Sequence, residues 1–589
     1  MDVTTSREVC DHCDSSRLRS QRIARRYPVG ILLGRPVLRH HIMKCPVCSR
    51  EYPYEHLNVL VPPHGNYVYD IIIEVGLRRF QSHRQNQEIQ KEIENRYGLI
   101  LPESSINELA DRFLDYFAAV HYAKASVIGQ MLNDGGGYVG HFDGTCEVGT
   151  DVFFTAIDEI SGIVLLTSRM PTENVNDIKD LLEECRKLFG VPLATMRDLS
   201  NNIALARDEV FDNVPDLICQ YHFLENVGKA LFKKTHQELT ALLRKLKIRP
   251  GLKSLRNGLV KRSKKESPIP EKWFNEFLKG SHKQLQLDNV LLRKHLTYFM
   301  LRWLDDYCSE LKGEYFPFDQ PSLVFYHRGV MLCDLLEELI ASSNSIKDRE
   351  RKTLSSILRV LRPLKNDETL VNLAHRLEKQ VSVFEELRGI LRFNRPDGKS
   401  ILRQHPPPST IKDASQTVER LNRFRRQLQT RKTVKDPDIV NSSKILIDYL
   451  DKYSDKLAGH LVTLKESNQV ILLARTNNIS EQHFSNTKTG WRRKLGTKKL
   501  TRHLQAARHE EFLVANLDQQ DYIDVVYGGS LDNMPSYFAR YCNESLNIRN
   551  LRGTQEEKHV FPISKKSLRQ PGMLVNVFQA LGGLLGCQA

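Results

Sequence analysis

The hydrophobic and polar positions of the chain divide it into segments with different periodicities. Residues 1–60 have little helical periodicity and many turn-forming residues, whereas residues 64–125 have the three- and four-residue spacing of helices. A run of glycines at 135–137 marks a linker. Short apolar strands then alternate with two helical stretches from 138 to 223, and a helical pattern covers 224 to 470. The sequence therefore predicts a multidomain α+β protein.

The segment from Tyr138 to Phe223 predicts the order strand, strand, strand, helix, strand, helix, strand. The first strand ends at Asp143, and the fourth leads into Asp198. The first helix covers Asn176 to Phe189 and stops at a glycine. Three strands joined by short turns, followed by strand–helix–strand crossovers, predict a mixed five-stranded sheet covered by helices. This is the plan of a ribonuclease H-like mixed α/β core.

Asp143 and Asp198 close strands that would be neighbours in the middle of such a sheet, so we expect their carboxylates to face one crevice. Acidic side chains with few basic neighbours form a hard oxygen site suited to Mg²⁺ or Mn²⁺. Two such ions about 4 Å apart activate a water or a 3′-hydroxyl and stabilise the leaving oxygen of a phosphodiester. An aspartate before a glycine or a helix start is also common as a turn or N-cap residue, which is the alternative for each aspartate alone.

Two Cys-x-x-Cys pairs near the N-terminus, Cys10-Asp-His-Cys13 and Cys45-Pro-Val-Cys48, have the spacing of a structural zinc site. Each tight turn places two sulfurs on one ion, and two turns complete a tetrahedral set of four thiolates. The segment between the pairs is basic, which is typical of a zinc ribbon that touches DNA, with a solvated face as the alternative. Its arginines are Arg17, Arg19, Arg22, Arg25, Arg26, Arg35 and Arg39.

A helix-turn-helix is predicted after the ribbon. Gln87 to Tyr97 reads as a helix that ends at Gly98, and Ser105-Ile-Asn-Glu108 is a capping-box signature that opens a second helix. This geometry places a recognition helix in a major groove, although helical hairpins that do not bind DNA share it.

Four stretches of the chain carry a family resemblance. They are His-Phe-Asp143-Gly-Thr, Arg-Asp198-Leu-Ser, Cys219-Gln-Tyr-His222-Phe-Leu-Glu-Asn-Val-Gly and Arg475-Thr-Asn-Asn-Ile-Ser-Glu481-Gln-His-Phe. They resemble the catalytic core of bacterial insertion-sequence transposases of the DDE type, over 138–235 and 470–505. In that family a third acid lies on a helix after the fifth strand, and the resemblance assigns this role to Glu481.

The long helical pattern of 236–470 lies between Asp198 and Glu481. Some transposase families similarly place an all-helical insertion just before the helix that bears the glutamate. The resemblance therefore implies that the core is interrupted by a large helical insertion. If the insertion ends earlier, Glu466 is the alternative to Glu481 as the third metal ligand.

A basic stretch follows Glu481 and would lie beside the metal crevice. Lysine and arginine side chains there would neutralise phosphates, and an aromatic ring would stack on a base unpaired at the cut end. A solvated helix face is the alternative. The residues predicted to contact DNA are Trp491, Arg492, Arg493, Lys494 and Lys498.

The pair Cys219 and His222 follows the fifth predicted strand. One interpretation is a packed cysteine with a histidine near the crevice. The other is a contact from His222 to a DNA phosphate.

Composition narrows the class of protein. The chain has 589 residues, 40% hydrophobic and 27% charged, which excludes a fibrous or wholly disordered protein. A formal charge of +15 favours an anionic partner such as nucleic acid. Eleven cysteines are too few for a disulfide scaffold. With no export signal and no long apolar run, we expect a soluble, cytoplasmic, nucleoid-associated prokaryotic protein that contacts no membrane.

These observations divide the chain into six predicted segments. They are a zinc ribbon (1–62), a helix-turn-helix DNA-binding domain (63–130), the first part of the ribonuclease H-like core (136–235), a helical insertion (236–470), the second part of the core (471–530) and a C-terminal tail (531–589).

The resemblance implies a DNA transposase. Water would cleave a phosphodiester at the element end, and the freed 3′-hydroxyl would attack target DNA, with Asp143, Asp198 and Glu481 holding two Mg²⁺ or Mn²⁺ ions. The implied partners are double-stranded DNA, as terminal repeats and target, and further copies of the chain assembled on it. The alternatives are a structure-selective nuclease on the same core, such as a Holliday-junction resolvase, and a catalytically silent transposase-derived DNA-binding regulator.

Overall fold

The structure is a computed structural model that describes residues 1–550 apart from several gaps. The gaps are 64, 264–274, 276–278, 280–288, 312, 343–347, 394–410, 432–435, 459 and 466, and residues 551–589 also lie outside it. The described chain is a mixed α+β protein that is mostly helical and has small sheets. Glu466 and most of the predicted C-terminal tail lie outside the described residues.

The N-terminal sheet surrounds the two cysteine pairs. Its strands are β1 (Asp2–Thr4), β2 (Arg19–Arg26), β3 (Leu38–Lys44) and β4 (Glu51–Tyr52). β3 lies between β1 and β2, and β4 pairs with β3. β2 is therefore an edge strand, and most of its side chains are exposed.

Helices follow the ribbon and contain the predicted helix pair. They are α1 (Leu57–Leu60), α2 (Tyr69–Gly76), a π-helical turn (Leu77–Gln81), α3 (Asn86–Tyr97), α4 (Glu103–Ala123) and α5 (Ala125–Asp134). Gly98 ends α3 in the left-handed conformation (φ 65°), as predicted. The capping box predicted at Ser105 and Glu108 is wrong, because α4 already begins at Glu103, directly after a proline. The corresponding contact lies one helix earlier, where Glu88 accepts a 2.8 Å hydrogen bond from the backbone N–H of Gln85.

The surface of α4 bears on its predicted role as a recognition helix. Beyond its first turns most of the helix is buried. The exposed side chains near its start include Glu103, Asn107, Glu108 and Asp111. The carboxylates of Glu103, Glu108 and Asp111 repel phosphates, although Glu108 is paired with Arg112 of the same helix at 2.6 Å. DNA recognition by the helix pair stays a prediction.

The central sheet has the predicted order of elements. They are β5 (Val139–Thr145), β6 (Val152–Asp158), β7 (Val164–Met170), α6 (Val175–Phe189), β8 (Ala194–Arg197), α7 (Asn201–Val210) and β9 (Asp216–Ile218). The strand order is β7-β6-β5-β8-β9, with β6 antiparallel to β5 and β7, and with β5, β8 and β9 parallel. The C-terminal ends of β5, β7 and β8 therefore meet at one edge of the sheet.

A helical region with its own hydrophobic core follows the sheet. Its helices are α8 (Gln220–Lys245), α9 (Ile248–Ser263), α10 (Asn289–Asp305), α11 (Pro321–Ser342), α12 (Asp348–Leu361), α13 (Pro363–Asn366), α14 (Glu368–Ile390), α15 (Ile411–Arg431) and α16 (Pro437–Ala458), with a 3₁₀ turn at Tyr307–Glu310.

The end of this region corrects the prediction that 236–470 is all helical. A hairpin of β10 (Leu461–Thr463) and β11 (Val470–Leu472) lies there instead. Its residue Val462 belongs to one buried cluster with Val139 and Ala194 of the central sheet. The chain therefore returns to the sheet through this hairpin before the next helix begins.

The last described elements pack on the sheet and on α4. They are α17 (Asn478–Leu495), α18 (Thr501–Ala506), a 3₁₀ stretch (His509–Asp518), α19 (Gln520–Tyr527), a 3₁₀ turn (Leu531–Asn533) and α20 (Met534–Arg540). Phe117 of α4, Phe154 of β6, Tyr522 and Phe538 all belong to one continuous core. α17 packs against β5 and β6, which brings Glu481 to the central sheet.

Candidate functional site

The four cysteines of the ribbon lie close enough to bind one metal ion such as zinc. Their sulfurs all lie within 4.8 Å of one another, and the Sγ–Sγ distances of Cys10–Cys48 and Cys13–Cys45 are 3.4 and 3.5 Å. A tetrahedral zinc ion with Zn–S bonds of about 2.3 Å places its sulfurs about 3.8 Å apart. Because all four ligands are thiolates, the geometry fits a closed structural site, as the sequence predicted.

The two cysteine turns have the same local structure. The N–H of Cys10 bonds to the carbonyl of Ser15, and the N–H of Cys45 bonds to the carbonyl of Arg50. Directly after the second cysteine of each pair, Asp14 and Ser49 have φ values of 53° and 62°. In each turn, the residue in the left-handed conformation reverses the direction of the backbone, so that both sulfurs of the pair point to the same side.

Asp143 and Asp198 lie side by side at one edge of the central sheet. β5 and β8 are parallel with Phe142 opposite Arg197, and each aspartate is the next residue. Asp143 Oδ1 accepts a 2.8 Å hydrogen bond from the N–H of Gly144, and Asp198 Oδ1 accepts one of 2.8 Å from the N–H of Ser200. Each carboxylate thus caps a local turn and also faces the other.

The Asp143 carboxyl lies in an environment that disfavours its negative charge. Burial is the main cause, and the neighbouring charge of Asp198 adds to it, so that the pKa of Asp143 rises to about 8. The negative charge of Glu481 is a smaller contribution in the same direction. A bound cation would relieve the repulsion between these carboxylates, as the neighbouring charge of His222 already does in part.

Glu481 lies in the first turn of α17, beside His222. The distance from His222 Nε2 to Glu481 Oε1 is 3.7 Å. Burial raises the pKa of Glu481, whereas the charge of His222 lowers it. Farther along the helix, Lys488 Nζ donates a 2.7 Å hydrogen bond to Thr145 Oγ1 at the end of β5. This bond helps to hold the helix against the strand that carries Asp143.

The three carboxylates approach one another less closely than the cysteines do. Among the described residues, the cysteine group alone has three or more ligand atoms all within 4.8 Å of one another. Binding of Mg²⁺ or Mn²⁺ by Asp143, Asp198 and Glu481 therefore stays a prediction, and it requires their side chains to draw together around the ion.

His222 projects from the first turn of α8 toward the same acids, and Cys219 precedes that helix. Burial by itself would lower the pKa of His222, but contact with the Cys219 thiol and the charges of Glu481 and Asp198 raise it to about 10. An imidazolium at this position is a suitable contact for a phosphate.

Two polar residues at this site are absent from the sequence predictions. Glu173 follows β7 and accepts a 2.6 Å hydrogen bond from Ser200 Oγ, close to Asp198. Asn477 is fully buried, and its Nδ2 donates a 2.8 Å hydrogen bond to Asp143 Oδ2. A signal for Glu173 exists in the sequence, because the third strand ends at the same edge as Asp143.

The structure corrects two of the predicted DNA contacts. Trp491 is only 2% exposed and packs with Phe153 and Phe512, while its Nε1 donates a 2.8 Å hydrogen bond to Glu511. Lys494 is 5% exposed and pairs with the same glutamate. Neither side chain is available to DNA, because both complete the packing beneath α17.

Of the predicted DNA contacts in this stretch, Arg492, Arg493 and Lys498 are exposed. They project from the end of α17 and the turn that follows it. DNA contact by these three residues stays a prediction.

Replacing Trp491 by alanine should destabilise the protein by about 3–5 kcal/mol, because it removes a buried aromatic side chain. Thermal unfolding would show the loss, and Leu495→Ala, a change at an exposed position of the same helix, should leave the midpoint nearly unchanged. A stable Trp491→Ala protein with selectively weakened DNA binding would instead support base stacking.

Comparison of the sequence with models of protein families and with curated proteins finds no match. Among the described residues, no helix is both long enough and apolar enough to cross a membrane. The function is therefore inferred from the site itself.

Proposed function

We propose that the protein is a DNA transposase of the DDE type with a ribonuclease H-like core. The observation that carries the proposal is the position of Asp143 and Asp198 at the ends of adjacent parallel strands. Glu481 lies close enough for its negative charge to raise the pKa of Asp143. The strand order β7-β6-β5-β8-β9 is the order that such a core requires. The motifs that resemble insertion-sequence transposases include the same three acids.

In this proposal Asp143, Asp198 and Glu481 hold the divalent ions. When bound, such ions lower the pKa of an attacking water and stabilise the leaving oxygen of a phosphodiester. The burial of Asp143 and its repulsion by Asp198 make the ionised form of Asp143 costly without a cation, and this favours cation uptake. His222, which lies beside Glu481, would bind a phosphate oxygen through its imidazolium.

The separate core of the helical region supports an insertion between the two parts of the catalytic core. α8 leaves directly after β9, and the β10–β11 hairpin returns to the sheet before α17 begins. The insertion would therefore leave the sheet intact and still deliver Glu481 to it.

The basic surface of Arg492, Arg493 and Lys498 is proposed to bind the DNA backbone beside the crevice. Replacing all three by alanine should weaken duplex binding and flatten its salt dependence, by about 0.9 in slope for each phosphate that these side chains neutralise. Fluorescence anisotropy at several salt concentrations measures both quantities. The matched control is Lys233→Ala, Lys234→Ala and Lys245→Ala on exposed positions of α8. An equally large effect in both triple variants would show that binding is not localised at α17.

The test of the function is cleavage of the DNA that flanks the gene. Full-length protein with Mg²⁺ should cut this DNA at the ends of inverted repeats and leave 3′-hydroxyl ends, and EDTA should abolish cutting. Preferential cleavage of a four-way junction would favour the resolvase instead. Specific binding of the repeats without cleavage in Mg²⁺ or Mn²⁺ would favour the regulator.

A further inference from the structure

A hydrogen-bonded network of polar residues runs along one face of β5 and ends on the carboxylate of Asp143. Its members are Glu159, His141 and Asn477. His141 and Asn477 are both fully buried. His141 Nε2 lies 2.7 Å from Glu159 Oε2, and His141 Nδ1 lies 2.7 Å from Asn477 Oδ1. Asn477 Nδ2 then donates to Asp143 Oδ2 at 2.8 Å.

The direction of these hydrogen bonds follows from the chemistry of the groups. The amide nitrogen of Asn477 faces Asp143, which with a cation bound would be ionised and could only accept. The amide oxygen of Asn477 then faces His141, and His141 Nδ1 must carry a hydrogen to donate. At the other end, His141 Nε2 and the Glu159 carboxylate are joined by the 2.7 Å hydrogen bond. Each group in the chain therefore fixes the orientation of the next.

These hydrogen-bonded residues also fix where α17 begins. Glu159 Oε1 accepts a 2.5 Å hydrogen bond from the N–H of Ala474, and the N–H of Asn477 lies 3.3 Å from Cys219 Sγ. The segment 474–477 is thus held by the sheet and by the start of α8. Glu481 lies one helical turn beyond Asn477, and its N–H bonds to the Asn477 carbonyl at 3.2 Å.

We propose that Asn477 is a positioning residue for the cation site: it holds Asp143 in a fixed orientation and sets the approach of Glu481, and His141 and Glu159 hold Asn477 in turn. This inference rests on the proposed function, because it assumes that Asp143 binds a divalent ion. With Gly144 on one oxygen and Asn477 on the other, both Asp143 oxygens are fixed and each keeps a lone pair for a cation. Groups that orient a ligand in this way commonly contribute 10- to 100-fold to metal affinity.

The test is Mn²⁺ binding to the full-length, zinc-loaded protein without DNA, with free Mn²⁺ measured by electron paramagnetic resonance. The Mn²⁺ sites that are present in the wild type and lost in Asp143→Ala are those of the crevice. We expect Asn477→Ala to weaken these sites by about 10- to 100-fold at unchanged stoichiometry. Asn486→Ala, an exposed asparagine of the same helix, should bind as the wild type does.

A pair of His141 variants provides a second measurement in case Asn477→Ala does not fold. His141→Asn places an amide nitrogen near the position of Nδ1 and should retain most of the affinity, whereas His141→Leu should lose affinity as Asn477→Ala does. Wild-type affinity in Asn477→Ala, or equal affinity in the two His141 variants, would overturn the inference and leave the proposed function intact. If Asp143→Ala removes no Mn²⁺ site from the wild type, the cation site of the proposed function fails, and the inference fails with it.

Discussion

Asp143→Asn should reduce Mg²⁺-dependent DNA cleavage by about 1,000-fold, because a bound ion contributes several kcal/mol of transition-state stabilisation and 1.36 kcal/mol corresponds to tenfold in rate. The substitution preserves the size of the side chain and removes its charge. Affinity for duplex DNA should change little, because the exposed cations that would bind phosphates lie elsewhere. The measurement is single-turnover cleavage of the flanking DNA, together with anisotropy of the same duplex.

Asp212→Asn is the matched control for this substitution. Asp212 is an exposed carboxylate between α7 and β9 of the same sheet region, away from the crevice edge. Its replacement should leave the cleavage rate unchanged. Cleavage by Asp143→Asn at the wild-type rate would remove Asp143 from the catalytic set and would contradict the proposed mechanism.

Cys45→Ser should abolish zinc binding by the ribbon and unfold residues 1–62, while the rest of the protein stays folded. The buried cluster at the cysteines consists of Cys10, Cys45 and Tyr52, and the other buried aliphatic side chains of the segment are only Val3, Leu38, Ile42 and Val61, so packing alone stabilises the sheet only weakly. Zinc binding by small domains of this kind is worth about 10–16 kcal/mol, which is folding free energy here. Zinc content and limited trypsin digestion measure the two effects, since the exposed strand β2 contains several arginines.

Cys146→Ser is the control, because Cys146 is an exposed cysteine outside the cluster. It should retain the zinc content and the protease resistance of the wild type. A Cys45→Ser protein whose ribbon resists trypsin would show that the sheet does not depend on the metal.

The central sheet could be predicted from the sequence because its signals are local. Apolar strands alternate with amphipathic helices there, and Gly190 ends α6 as the pattern indicated. Parallel pairing of β5 with β8 then follows from the crossover, which places Asp143 beside Asp198. The prediction of a capping box at Ser105 and Glu108 was wrong because the same residue spacing also occurs inside helices. Here α4 has already begun directly after a proline, before Ser105 is reached.

The errors at α17 come from judging residues by charge and neglecting helical spacing. Phe484, Trp491 and Lys494 lie at seven- and three-residue intervals, which places them on one face of the helix. That face is buried, and Glu511 of the following 3₁₀ stretch supplies the partner for Lys494. The periodicity could have revealed the buried face, but the buried glutamate required the tertiary structure.

The role of Asn477 could not be found from the sequence, although the residue lies in the fourth stretch that carries the family resemblance. Its role depends on hydrogen bonds to His141 and Asp143, which lie on a strand more than three hundred positions earlier in the chain. The helical region lies between these partners in the sequence, and no local sequence pattern predicts a contact between residues so far apart.

The most direct test of the central claim is anomalous X-ray diffraction from crystals of the protein soaked with Mn²⁺. We expect a manganese peak between the carboxylates of Asp143 and Asp198, with Glu481 turned toward the ion. A crevice without manganese at saturating concentration, or manganese bound only at sites remote from these acids, would contradict the proposed cation site.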